Sequence, residues 1–177
     1  MSEPIKVYLA GPDVFYPDAI ERGIRLKAMC EQLGMVGLFP LDNEVPAWLD
    51  GPEAAAWIAQ QNMAMIHEAD AVIANLQHFR GAEPDSGTVF ECGVAVTLGK
   101  PLLCYADNPH QTLRDQVATD EQGRCQDGLF VEDFGLPRNL MLATLWDGFY
   151  SSAGTALQAV SELMVDQQRP TQMPGMR

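Results

Sequence analysis

An α/β domain, built on a parallel sheet with helices on both faces, is the fold this sequence predicts. Two observations carry the prediction. Short apolar runs alternate with longer segments of helical periodicity from the start of the chain to about residue 106, and strands buried on both faces read as such runs. The runs also stop at turn-forming residues, as at Gly11-Pro12 and Pro40. At 177 residues the chain has the size of one domain and can bury a real core. That domain is expected over 1–168, with "RPTQMPGMR" (169–177) as a flexible tail.

The elements follow in order. "IKVYLA" (5–10) is a first strand. "AIERGIRLKAMCEQLG" (19–34) places Ile20, Ile24, Leu26, Met29 and Leu33 at helical spacing, with Gly34 as its stop. "MVGLF" (35–39) is a second strand and "LDNEVPAWLDG" (41–51) a loop. "EAAAWIAQQNMAMIHEA" (53–69) is a second helix, "DAVIANL" (70–76) a third strand and "PLLCYA" (101–106) a fourth. Residues 107–138 are polar and read as a surface insertion with one short helix. Within it, "LFVEDFG" (129–135) has strand character. "TALQAVSELMVDQQ" (155–168) is a final helix. In such sheets ligands bind beyond the carboxyl ends of the strands, where strand order reverses. The segments "GPDVFYPD", "PLDNE" and "QHFRGAEPDSG" should therefore converge on one crevice.

Composition narrows the function. The formal net charge is −13 and no basic stripe is visible, which argues against nucleic acid and against an anionic membrane surface. No run approaches 18 apolar residues, and Ile5 begins a strand-like run, not a signal peptide; the cytoplasm is the default compartment. Cys30, Cys92, Cys104 and Cys125 form no C-x-x-C and read as reduced thiols. His67, His78 and His110 lack ligand spacing, so no metal is expected. A Gly-rich phosphate loop is also missing, which leaves little case for a dinucleotide or nucleoside triphosphate.

The segment "RGAEPDSGTVFECGVA" (80–95) carries the chemistry. It opens as a turn and ends as an apolar helix, and Glu91 is the one charge within 88–98. "TVFE" fits a capping box, with Thr88 at the N-cap and Glu91 reaching back to its amide. The competing reading is a pocket at the helix start. A carboxylate buried without a partner would cost several kcal/mol, whereas the helix dipole would keep Glu91 ionised in the first turn and fit to act as a nucleophile. Asp85 reads either as a turn or capping residue or as the second carboxylate of a pair, of the kind that cleaves a glycosidic bond with retention. Gly81 and Gly87 would let backbone approach a ligand closely.

"VYLAGPDVF", "PLDNE", "ADAVIANL", "DSGTVFECG" and "RNLML", in this order, resemble the nucleoside 2-deoxyribosyltransferases over about residues 5–145. The resemblance implies a flavodoxin-like (Rossmann-like) single domain that moves 2-deoxyribose between nucleobases without a cofactor. It implies that Glu91, in E-x-G, is the nucleophile, that Asp85 contacts the base and assists its protonation, and that Tyr8 orients Glu91. Phe15 would line the base pocket, although its spacing from Tyr8 is one residue longer than in some members. Glu44 matches a base-contacting position where some members carry Gln. Arg80 and Gly87, in the loop that leads into the helix of Glu91, are candidate substrate-binding residues. Asn139 and Met141 match residues that complete a neighbouring subunit's site, which implies a homo-oligomer. One departure stands out: some members carry an acid in the second helix where this chain has Asn62, and Asn cannot supply a proton.

The expected function is exchange of bases on 2′-deoxynucleosides through a covalent glutamyl intermediate, with purines preferred, in nucleoside salvage. The substrates would be 2′-deoxynucleosides and free nucleobases. The alternatives are hydrolysis of the N-glycosidic bond of 2′-deoxynucleosides or of nucleoside 5′-monophosphates, and a nucleoside-binding module without turnover. A phosphoribohydrolase is disfavoured, because "SGTVFE" supplies G-T-x-x-E but lacks the paired glycines before it.

Overall fold

A computed structural model describes residues 3–168; the tail expected at 169–177 lies outside them. The strands are β1 (Lys6–Ala10), β2 (Val36–Leu38), β3 (Ala71–Asn75), β4 (Leu102–Tyr105) and β5 (Gly148–Tyr150). The helices are α1 (Ala19–Gln32), α2 (Gly51–Glu68), α3 (Ser86–Thr97), α4 (Leu113–Gln116), α5 (Leu140–Ala143) and α6 (Ala153–Gln168). Short 3-10 turns occupy Pro12–Phe15 and Pro40–Asp42. The strands form one five-stranded sheet in the order β2-β1-β3-β4-β5, every pairing parallel. This is the flavodoxin-like order, with its switch point between β1 and β3.

Alternation along the strands builds two cores. Val7, Leu9, Ile73 and Leu103 face one side and pack with Leu26 and Cys30 of α1 and Leu157 and Val160 of α6. Tyr8, Ala10, Val72, Ala74 and Cys104 face the other and pack with Met65 and Ile66 of α2 and Cys92 and Ala95 of α3. β3 is buried at every residue. Burial on both faces is why β1, β3 and β4 read as unbroken apolar runs.

Two expectations need correction. Helix α1 does not bury its isoleucines: Ile20 and Ile24 are exposed, and the buried positions are Ala19, Gly23, Leu26 and Cys30. Gly23 answers to Phe39, since a Cβ there would lie 2.5 Å from that ring. The segment 129–135 is no strand. It holds only an isolated bridge from Phe130 to Arg124, and Leu129, Phe130 and Phe134 lie exposed with no sheet edge to join. The fifth strand is instead β5, at the sheet edge, held through Asp147, whose carboxylate accepts from the Leu102 amide at 2.8 Å. Helix α3, apolar in sequence, is nevertheless not buried all round, because Phe90 is 65% exposed.

Candidate active site

The switch point is braced by polar contacts. Asn75, at the end of β3, donates to Asp13 Oδ2 at 2.7 Å, and Arg22 of α1 donates to Asp13 Oδ1 at 3.0 Å. Gly11 ends β1 where a Cβ would lie 2.7 Å from the Asn75 Cβ, so only glycine lets the two strand ends come together. Arg138 is buried and donates twice to the Leu76 carbonyl, which ties the polar insertion to the same end of the sheet.

Beside this point three elements meet at one carboxylate. Tyr8 of β1 donates its hydroxyl to Glu91 Oε1 at 2.7 Å, and Asn62 of α2 donates to the same oxygen at 3.5 Å. Both donors fall on Oε1, and Oε2 accepts no hydrogen bond among the described residues. Burial raises the Glu91 pKa to about 7; the Tyr8 bond opposes the rise, the nearby Asp85 charge adds to it, and the Asn62 bond opposes it more weakly. Tyr8 is fully buried, and burial, followed by the Glu91 charge and hydrogen bond, holds its phenol well above its ordinary pKa. It therefore stays a donor. The Asn62 Oδ1 is a buried acceptor with no partner among the described residues, a state that costs free energy until a donor arrives.

The start of α3 overturns the capping-box reading of "TVFE". Asp85 is the N-cap, and its Oδ2 accepts from both the Thr88 amide and the Thr88 hydroxyl, each at 2.9 Å. The helix therefore begins at Ser86, and Glu91 is its sixth residue, in the second turn. So placed, Glu91 is not held ionised by the dipole, which acts within the first turn; burial moves its pKa upward. Asp85 serves at once as the cap and as a charge felt by Glu91. Gly87 leaves room beside it, since a Cβ there would lie 3.1 Å from Asp85 Oδ2.

The other candidates fall into two groups. Phe15 is 57% exposed, and its ring lies 5.1 Å from that of Phe79. The Arg80 guanidinium sits 4.6 Å from the Phe79 ring and 5.6 Å from the Phe15 ring, on a backbone at φ 55. Phe79 was not among the sequence candidates, although an aromatic residue beside Arg in a turn-rich loop is a readable signal. Thr88, missed as well, is visible only as the partner of Asp85. Asn139, Met141 and Glu44 are not brought to Glu91. Asn139 caps α5 and donates to Glu132 at 2.6 Å. With Met141 it lines an apolar groove of about 520 Å³, formed with Val89, Cys92 and Val96 of α3; Val89 and Val96 lie on the side of that helix away from Glu91. Glu44 is exposed and makes no hydrogen bond among the described residues.

No helix among the described residues is long and apolar enough to cross a membrane, and no group of His, Cys, Asp and Glu there could hold a metal ion.

Comparisons with known proteins identify the family. The model of the nucleoside 2-deoxyribosyltransferase family matches residues 7–141. An uncharacterised protein of Schizosaccharomyces pombe is 38% identical over 168 residues, covering 84% of this chain and 78% of that one. A 2-deoxyribosyltransferase from Leishmania mexicana is similar in structure, with a TM-score of 0.73 and 38% identity over 90% of this chain and 98% of that one. The 2-deoxyribosyltransferase of Bacillus psychrosaccharolyticus shares the fold at a TM-score of 0.59 and 18% identity, over 88% and 95% of the two chains. A matched span that runs from β1 to α5 and includes Tyr8, Asn62, Asp85 and Glu91 makes this chain a member of the nucleoside 2-deoxyribosyltransferase family, and an enzyme.

Proposed function

We propose that the enzyme exchanges nucleobases on 2′-deoxynucleosides through an ester between Glu91 and the sugar. The observation that carries this reading is the asymmetry of the Glu91 carboxylate: Tyr8 and Asn62 both hold Oε1, and Oε2 is left to react. Oε2 attacks C1′, the C1′–N bond breaks, and its electron pair leaves on the base nitrogen. A proton reaches the departing base from Asp85 or solvent, since Asn62 cannot supply one. A ring nitrogen of the second base then attacks C1′, the C1′–Oε2 bond breaks to give back the Glu91 carboxylate, and the N–H proton of that base passes to Asp85 or solvent, so two inversions give retention. Water in place of the second base gives slow hydrolysis.

Attack needs ionised Glu91, and a pKa of about 7 leaves it poised between its two forms near neutrality. The Phe15 and Phe79 rings, with Arg80 over them, offer a face on which a base can stack. The unpartnered Asn62 Oδ1 accepts a hydrogen bond from a donor edge of the base. Purines, the bases with the larger face to stack on Phe15 and Phe79, are the preferred substrates, and the enzyme belongs in cytoplasmic nucleoside salvage. Asn139 and Met141 act in the site of a neighbouring subunit of a homo-oligomer, in keeping with their separation from Glu91 within one chain.

The deciding experiment incubates the protein with deoxyinosine and free adenine and follows products by chromatography. Deoxyadenosine together with hypoxanthine supports transfer. Hypoxanthine alone shows hydrolysis, and no product overturns the reading. A 2-fluoro-2-deoxy nucleoside slows breakdown of the ester, so mass spectrometry of a digest should find the sugar on the peptide holding Glu91. Label on Asp85 or Glu83 would refute the assignment.

A further inference from the structure

The aromatic face of Phe79 and Arg80 stands on a loop with little structure of its own. Residues 76–80 form neither helix nor strand. Arg80 takes a φ of 55, a left-handed conformation that a residue with a side chain keeps only where its surroundings hold it. Some restraint is local. The Leu76 amide donates to the Tyr105 carbonyl and the Phe79 amide to the Glu83 carbonyl, each at 2.9 Å, and the Gln77 amide donates to Asn75 Oδ1 at 3.1 Å. Further ties reach the loop from the polar insertion.

Gln116, the last residue of α4, is their hub. Its Nε2 faces the Gln111, Thr112 and Pro137 carbonyls at 2.7, 3.1 and 3.1 Å. Carbonyls only accept, so this atom is the amide nitrogen and Oε1 is the free acceptor. That oxygen lies 2.9 Å from His78 Nε2 and 2.7 Å from Arg138 Nη1. The His78 ring therefore carries a proton on Nε2 and donates it. Arg138 closes the frame. Its Nε and Nη2 donate to the Leu76 carbonyl at 3.2 and 2.8 Å, and its Nη1 also donates to the Pro137 carbonyl at 2.7 Å. The residue is buried, and all of these acceptors are neutral. Burying a guanidinium without a counter-charge costs stability. What it supplies is geometry, since one planar fork joins Leu76 to Gln116 and Pro137.

We infer that Gln116 and Arg138 are positioning residues for base binding: through His78 and the Leu76 carbonyl they hold the 76–80 loop so that Phe79 and Arg80 present a fixed face to the base. A face ordered in advance binds more tightly than one that must be ordered on binding. This role deepens the stacking reading above and rests on it. The hydrogen bonds of Gln116, His78 and Arg138 do not reach Tyr8, Asn62 or Glu91. The network therefore acts on affinity for the base and leaves the ester-forming step alone. The polar insertion, which contributes no residue to the contacts of Glu91, braces the base side of the site from outside.

Two substitutions on either side of one bond test this in the full chain. Gln116 is half-buried and His78 exposed, so Gln116→Leu and His78→Ala should keep the fold, checked by circular dichroism. Each should raise KM for the acceptor base about threefold to tenfold, the range of one or two hydrogen bonds. The kcat should stay within about twofold and the acid limb of the pH profile should not move. The double variant should be no worse than Gln116→Leu alone, because both changes break the same bond. Amide hydrogen exchange across 76–80 should quicken in all three, independently of turnover. An unchanged KM in Gln116→Leu overturns the inference, as does a fall in kcat at constant KM, additive effects in the double variant, or exchange that stays slow. Phe79→Ala separates this role from the reading beneath it. If Phe79→Ala raises KM and Gln116→Leu does not, stacking stands and the brace fails. If Phe79→Ala leaves KM unchanged, the stacking reading is wrong and the role falls with it.

Discussion

The Tyr8 hydroxyl donates to Glu91 Oε1 at 2.7 Å, joining β1 to α3 across 83 positions of sequence. Of the interactions acting on Glu91, this bond is the main one that favours its ionised form. Tyr8→Phe should leave burial unopposed and move the acid limb of kcat/KM to a higher pH than about 7. A hydrogen bond to a charged group is worth about 1.5–3 kcal/mol, so activity at neutral pH should fall roughly tenfold to a hundredfold. A limb that stays in place would show that the bond does not govern ionisation.

Stability should report the same carboxylate with a definite sign. The folded pKa of about 7 lies above the ordinary 4.5, so the folded state holds this proton more tightly than the unfolded chain. The stabilisation is fully present below 4.5 and is lost as pH rises through about 7. Glu91→Gln should therefore raise the melting temperature relative to the unmodified enzyme at about pH 8.5, and much less at about pH 4.5. Equal shifts at both would contradict a half-buried, proton-retaining Glu91.

Asp85 caps α3 and adds its charge to the field at Glu91. Asp85→Asn keeps a side-chain oxygen for the Thr88 amide and removes the charge. The melting temperature should hardly change, while the acid limb moves to lower pH and base release slows if Asp85 passes the proton. Asp85→Ala loses the cap as well and should cost about 1 kcal/mol of stability. Denaturant titrations beside pH–rate profiles separate the two roles.

Asn62 holds Glu91 Oε1 at 3.5 Å and keeps its own Oδ1 unpartnered. Asn62→Asp replaces that donor with a second carboxylate, so the Glu91 pKa should rise and the acid limb move up. If Asn62 also sets base choice, the ratio of kcat/KM for deoxyadenosine to that for thymidine should fall in this variant. An unchanged ratio would assign purine preference elsewhere.

The sequence by itself determined the alternating architecture, because parallel strands buried on both faces must be written as apolar runs. The runs at 5–10, 70–76 and 101–106 became β1, β3 and β4. It also isolated Glu91, since one carboxylate in an apolar helix is a local fact. β5 escaped it: a three-residue edge strand, half buried throughout, needs no apolar run. Only tertiary structure decided the rest. Tyr8, Asn62 and Glu91 come from β1, α2 and α3, and no local pattern could show that the first two converge on one oxygen of the third. The cap of α3 fell to Asp85 and not Thr88, because Thr88 is buried and spends its hydroxyl on Asp85. The direction of the Glu91 pKa followed: a local dipole argument favours the ionised form, whereas burial, which depends on the whole fold, favours the proton and is the larger effect.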